Sequence, residues 1–149
     1  MQHHLHDIDL PVPNVYFATV ESATQRQTHH LYVPAAFSGA AFRKVQNLCA
    51  MRHGFRPFRS NATVKMRRLK LQDYLEYPEA LERALSVALD LGESDIVKGL
   101  EQRPQQIRDL ADDLADEIMA REVREVADQL ALSLPALIVE HQRQHRIAS

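Results

Sequence analysis

Several residue types are scarce in this chain, and each shortage excludes a class of protein. The 149 residues include one cysteine, four glycines and no tryptophan. The single cysteine, Cys49, excludes an internal disulfide framework and is typical of a reducing compartment, so we expect a cytoplasmic location. No apolar run approaches the ~20 residues that a membrane helix needs, and the N-terminus lacks the basic-then-apolar layout of a signal peptide.

Motifs that fix a reaction are also missing. The sequence has no glycine-rich phosphate loop, no nucleophile elbow and no paired cysteine ligands. The His and Asp residues near the N-terminus lack the spacing of common metal motifs. His141 and His145 are four residues apart, but no Glu follows His141, so the full HExxH motif is absent. We therefore expect no metal and no cofactor, and we favour a binding protein over an enzyme.

Charge is segregated along the chain. The stretch Ser22–Gln72 contains no Asp or Glu but ten basic residues, so its charge is +10. Residues 1–21 carry −3 and residues 73–149 carry −9, with His taken as neutral, which leaves a formal net charge of −2. This asymmetry indicates either a charged partner or mutual neutralisation of the two halves, across an internal or a dimeric interface.

Local patterns predict an α+β fold in three parts. Residues 1–13 are predicted to be a tail, residues 14–72 a basic ββαββ domain, and residues 73–149 an acidic antiparallel helical bundle. Strands are predicted over 15–20, 29–33, 55–59 and 63–71, where β-branched and aromatic residues are frequent or apolar residues alternate. A helix is predicted from Ser38 to about His53, with Gly54 ending it.

Helical spacing of apolar residues dominates after Asp73. Helices are predicted over 80–91 and 94–102, and a long one extends from Pro104 to about Leu132. Pro135 is predicted to break this helix, because proline lacks the N–H that a helix interior needs. A last amphipathic helix is then expected to reach about His145.

The predicted fourth strand carries a specific expectation about its two faces. Its apolar residues change parity halfway, from Val64 and Met66 to Leu69 and Leu71. A β-bulge at Arg67-Arg68 would bring all four onto one face and leave a basic row on the other. Because like charges side by side destabilise a sheet, such a row predicts an anionic partner or exposure to bulk water.

Basic and aromatic residues interleave in the acid-free stretch, and together they predict a binding surface. Lysine and arginine release counterions from phosphates, and aromatic rings stack on exposed bases. Our leading hypothesis is a non-enzymatic cytosolic protein whose basic sheet docks on nucleic acid or on an acidic protein surface. The predicted contact residues are Arg43, Lys44, Arg56, Arg59, Lys65, Arg67, Arg68 and Lys70.

The acidic half supports a second hypothesis. Repeated carboxylates on a helix can imitate a phosphate backbone, so the chain could inhibit a nucleic-acid-handling complex, as anti-restriction or anti-CRISPR proteins of mobile elements do. A solvated helix face is the simpler interpretation of the same pattern, and the helical half could also form a homodimer. The residues predicted to contact a protein partner are Asp109, Asp112, Asp113, Asp116 and Glu117.

A third hypothesis is a small nuclease-like enzyme. In it, one of His29, His30 and His53 acts as a base, while nearby arginines stabilise the charge of the phosphorane. Nothing in the sequence fixes that geometry, so we assign no catalytic residue.

Overall fold

A computed structural model describes residues 5–23 and 26–148, apart from the side chains of His6, Ile147 and Ala148. Within these residues the fold is α+β, as predicted. Three strands and six α-helices follow one another along the chain, with 3₁₀ turns at Leu5–Asp7 and Pro57–Arg59. The strands are β1 (Asn14–Ser22), β2 (Gln27–Ala35) and β3 (Ala62–Arg68), and the helices are α1 (Ser38–His53), α2 (Leu71–Glu76), α3 (Glu79–Asp90), α4 (Ser94–Glu101), α5 (Arg103–Asp112) and α6 (Glu117–Ala148).

The three strands form an antiparallel sheet in the order β2-β1-β3, so β1 is the central strand. Side chains of successive residues point to opposite faces of a strand. Tyr16, Ala18 and Val20 therefore share one face of β1, and they are buried in a core with Val45 and Leu48 of α1. The odd-numbered residues of β1 lie on the second face.

The strand β3 is regular, and the predicted bulge at Arg67-Arg68 is wrong. Every residue of β3 has a partner on β1, and the amide of Leu69 still donates to the carbonyl of Val15, with 2.8 Å between N and O. The chain then turns into α2. The change of parity therefore distributes the apolar side chains between two cores: Val64 and Met66 pack with α1, whereas Leu69 and Leu71 are buried among the helices.

The strand predicted over residues 55–59 is also wrong. Pro57 begins a 3₁₀ turn there, and its ring fixes φ and removes the N–H that a ladder requires. The preceding helix ends as predicted, since Gly54 takes the left-handed conformation at φ 74°. The N-terminal unit is consequently ββαβ rather than ββαββ.

The segment predicted to be a tail packs against the helices from Leu5 onward. Leu5 and Leu10 are buried in the core that also holds Val15, and the carbonyl of Ile8 accepts a hydrogen bond from the amide of Leu71. Residues 1–4 of the predicted tail lie outside the described residues. The domain boundary after residue 72 stays a prediction. The core around Leu5 and Leu10 includes side chains from both sides of that boundary.

The break in the long helix lies at residues 113–116 rather than at Pro135. Asp116 explains its position, because its carboxylate accepts hydrogen bonds from the amides of Ile118 and Met119 at 3.0 and 3.2 Å. This is the N-cap arrangement, and it fixes the start of α6. The 32-residue α6 contains Pro135, whose ring lies on an exposed position of the helix. None of the helices in the described part of the chain is both long and apolar enough to cross a membrane.

Candidate nucleic-acid interface

The second face of the sheet presents a small array of aromatic and basic side chains. Two cross-strand rows form it: Tyr32, Phe17 and Arg67 in one, and His30, Thr19 and Lys65 in the next. His30 and Lys65 are exposed, while Phe17 and Tyr32 are half-buried where the sheet meets the helical core. We call these six residues the aromatic platform.

The rings of the platform are arranged to stack. Phe17 lies almost parallel to His30, with 5.4 Å between ring centroids and 11° between planes. Its centroid is 5.1 Å from that of Tyr32, and these two rings are tilted by 44°. Thr19 Oγ1 lies 3.4 Å from His30 Nδ1, at the long end of hydrogen-bonding distance. Sheets that carry aromatic side chains on one face are surfaces on which many single-stranded nucleic acids stack.

The platform contains two cations, and one of them is paired with a carboxylate. Lys65 has no carboxylate partner among the residues that the structure describes. Arg67 donates from Nη1 to both carboxylate oxygens of Asp73 at 2.8 Å, although 56% of its side chain remains exposed. Asp73 is buried and also accepts the amide of Lys70, so it stays fixed at the start of α2.

Arg83 of α3 adds a third cation at the edge of the platform. Its guanidinium carbon lies 5.9 Å from the centroid of the Tyr32 ring, within cation–π range. Burial raises the pKa of Tyr32, with Glu79 adding to this effect and Arg83 opposing it. Tyr32 therefore keeps its proton and remains a neutral stacking surface near neutral pH.

Four of the eight basic residues predicted to contact a partner form ion pairs with carboxylates of the chain itself. Arg68 and Lys70 both bind Asp9, which comes from the segment before β1. Carboxylates of the helical half neutralise others, because Asp73 binds Arg67 as described above. Two further pairs of this kind are Lys44 with Glu93 at 2.9 Å and Arg52 with Asp90 at 3.1 Å.

The remaining predicted arginines gather on the other side of the sheet, beside α1. Arg43, Arg56 and Arg59 line a shallow cavity of about 280 Å³ between α1 and the 3₁₀ turn. Phe58 is 80% exposed there, and its amide donates to the side-chain oxygen of Gln46 at 2.6 Å. We call this site the arginine groove; its lining residues are Phe42, Arg43, Gln46, Arg56, Phe58 and Arg59.

The three histidines of the nuclease hypothesis do not meet at one place. His29 stacks on His53 with 3.7 Å between centroids, on the α1 side of the sheet. His30 lies on the platform, on the opposite side. Burial lowers the pKa of His53, and the neighbouring His29 and Arg52 lower it further. His30 is therefore separated by the sheet from the stacked pair of His29 and His53.

The five acidic residues predicted to contact a partner all lie exposed around the α5–α6 turn, where several have other roles. Asp109 accepts a hydrogen bond from Gln105, and Asp112 binds Arg124 at 2.9 Å. Asp116 caps α6, as described above. Asp113 and Glu117 complete the set.

Sequence reasoning missed the stacking residues Phe17, His30 and Tyr32 as one surface. The signal was present, because all three have the parity that faces away from α1 once β1 and β2 are paired as a hairpin. The comparisons with known proteins add no guidance, since no protein-family model, curated protein or solved structure matches this chain.

Proposed function

We propose that the chain is a non-enzymatic binding protein whose aromatic platform holds single-stranded nucleic acid. The observation that supports this proposal is the stack of Phe17 on His30 beside Tyr32, on an antiparallel sheet bordered by Lys65. Each base that stacks on such a ring contributes about 1–3 kcal/mol, and every base has a suitable face. Paired bases in a duplex hide their faces, so the platform favours unpaired strands.

The charges around the platform limit where a strand can lie. Lys65 and Arg67 occupy one edge of the sheet, and Arg83 stands near the opposite edge beside Tyr32. Glu21 lies on the same face, one row beyond Thr19, and repels phosphates there. A strand crossing from Lys65 towards Tyr32 places two or three nucleotides on the platform.

The test is binding of fluorescently labelled single- and double-stranded oligonucleotides, followed by anisotropy over a series of salt concentrations. We expect the protein to prefer the single strand. His30→Ala should weaken binding by about tenfold, through the loss of one stacking surface. Lys65→Gln should reduce the slope of log affinity against log salt by about 0.7, the share of one phosphate contact.

Lys98→Gln is the matched control, because Lys98 is an exposed lysine of α4 away from the sheet. It should leave both affinity and salt slope unchanged. The proposal fails if the wild-type protein shows no binding at low salt, or if Lys65→Gln and Lys98→Gln have equal effects.

A further inference from the structure

The arginine groove carries three positive charges with no carboxylate partner among the described side chains. Arg56 donates only to the neutral amide oxygen of Asn47, at 3.2 Å, and Arg43 and Arg59 have no ion pair in this part of the chain. Two phenylalanines, Phe42 and Phe58, line the same cavity. A cavity lined by both phenylalanine and arginine side chains fits an apolar side chain that is flanked by carboxylates.

The chain itself presents such a structure at the start of α6. Ile118 is 72% exposed there, which is unusual for a large apolar side chain. Glu122 and Glu125 lie one and two turns further along the same side of the helix, and Glu117 precedes Ile118. Exposed Arg121 also lies on this turn. We call Glu117, Ile118, Glu122 and Glu125 the acidic knob.

The groove and the knob do not meet within one molecule. Phe58 and Ile118 are both largely exposed, so neither covers the other. In the described part of the chain, Asp9, Asp73, Asp90 and Glu93 bind basic residues of the acid-free stretch, and these four carboxylates do not belong to the knob. The charge segregation of the sequence is therefore only partly neutralised inside the molecule.

We infer that the arginine groove binds the acidic knob of a second copy of this chain. Ile118 then enters the cavity between Phe42 and Phe58, while Glu122 and Glu125 face the arginines. The volume of about 280 Å³ is sufficient for one isoleucine side chain and its neighbouring solvent. Because the two surfaces differ, the contact is head-to-tail, and it gives a closed dimer only where two copies exchange both contacts.

The experiment is sedimentation velocity of the full chain from about 10 μM to about 1 mM, the range of weak association. We expect the average mass to rise with concentration and to fall with added salt. The groove variant Arg43→Glu/Arg59→Glu and the knob variant Glu122→Arg/Glu125→Arg should each weaken self-association by at least about tenfold. Ile118→Ser should weaken it without changing the charge.

Mixing the two charge variants is the decisive step. The reversed groove of one then faces the reversed knob of the other, so the mixture should associate more strongly than either variant alone. Lys98→Glu is the charge control and should associate as the wild type does. Circular dichroism of each variant checks folding, and all the substituted side chains are exposed.

Two outcomes would overturn the inference. The first is a wild-type protein that remains monomeric over the whole concentration range. The second is a mixture of variants that associates no better than its components. If, in addition, the groove variant loses oligonucleotide binding, the groove serves nucleic acid instead of a second copy. Loss of oligonucleotide binding on Lys65→Gln alone concerns the platform and leaves this inference untouched.

Discussion

Arg103, the first residue of α5, offers a sharp test of what holds the N-terminal segment in place. Its side chain is completely buried, and Nη2 donates to the carbonyls of Pro11, at 2.9 Å, and of Pro13. The guanidinium lies over the ring of Tyr74, at 5.7 Å from its centroid. Burial raises the pKa of Tyr74 to about 12 and lowers the pKa of Arg103 below its usual value.

The expected effect of Arg103→Met follows from opposing contributions. Two hydrogen bonds from a charged donor contribute about 1.5–3 kcal/mol each, and the contact with Tyr74 adds about 2 kcal/mol. The desolvation of the guanidinium opposes them by several kcal/mol, and methionine removes this cost as well. The carbonyl of Pro11 can reach water, because Pro11 is exposed, but that of Pro13 is left buried. We therefore expect a loss of about 2–4 kcal/mol in unfolding free energy.

The assay is urea unfolding followed by circular dichroism, with Arg103→Lys measured beside Arg103→Met. Lysine retains the buried charge but has neither the planar fork nor the ring contact, so it should be at least as destabilising as methionine. Hydrogen exchange should show faster exchange at the start of β1 in both variants. An Arg103→Met protein as stable as the wild type would refute the reasoning, because the buried charge would then contribute nothing net.

A substitution at Gly99 of α4 tests independently how Pro13 of the N-terminal segment is held in place. A Cβ atom at Gly99 would lie 2.5 Å from Cδ of Pro13, too close for any ordinary contact. In an unconstrained helix, alanine is more favourable than glycine by about 1 kcal/mol. Gly99→Ala should nevertheless destabilise the protein, and Lys98→Ala, its exposed neighbour, should not. Stabilisation by Gly99→Ala would show that α4 does not hold Pro13.

Two further predictions concern the N-cap of α6 and the titration of His53. Asp116→Ala should lower the unfolding free energy by about 1 kcal/mol, because two amides of α6 lose their acceptor. Asp116→Asn should recover most of this loss, and equal losses for the two variants in chemical denaturation would exclude capping. The folded-state pKa of His53 lies below its unfolded value, so the unfolding free energy should fall as pH drops below about 6.5. His53→Gln should make this fall less steep in thermal unfolding, and an unchanged pH dependence would contradict the prediction.

The sequence allowed some elements to be predicted for sound physical reasons. The helix α1 and its end at Gly54 were predictable, because a left-handed C-terminal residue favours glycine so strongly. The predicted bulge at Arg67-Arg68 was wrong, because the same change of apolar parity arises when a regular strand passes from one core to another. The burial of Leu69 in the helical core depends on the packing of α2 and of the N-terminal segment, which no local pattern encodes.

The helix break was misplaced for a different reason. Pro135 carries the stronger local signal, but a proline on an exposed side of a long helix removes one backbone hydrogen bond and can be tolerated when the rest of the helix packs. Asp116 carried a usable signal, because aspartate is among the preferred N-cap residues. The burial of Arg103 could not be predicted, because the residues near it in sequence do not indicate that its side chain binds the carbonyls of Pro11 and Pro13.

The structure also changes what the charge of the acid-free stretch implies. A net +10 suggests binding dominated by phosphates and a steep dependence on salt. On the platform, however, only Lys65 is without a carboxylate partner in the described region. Arg67 is paired with Asp73, and the carboxylate of Glu21 lies on the same face of the sheet. Under the proposed function, Lys65, Arg67 and Arg83 can contact three phosphates at most, which would limit the salt slope to about −2 for a single strand. Stacking on Phe17, His30 and Tyr32 would then supply most of the affinity, and we expect the proposed binding to persist at high salt.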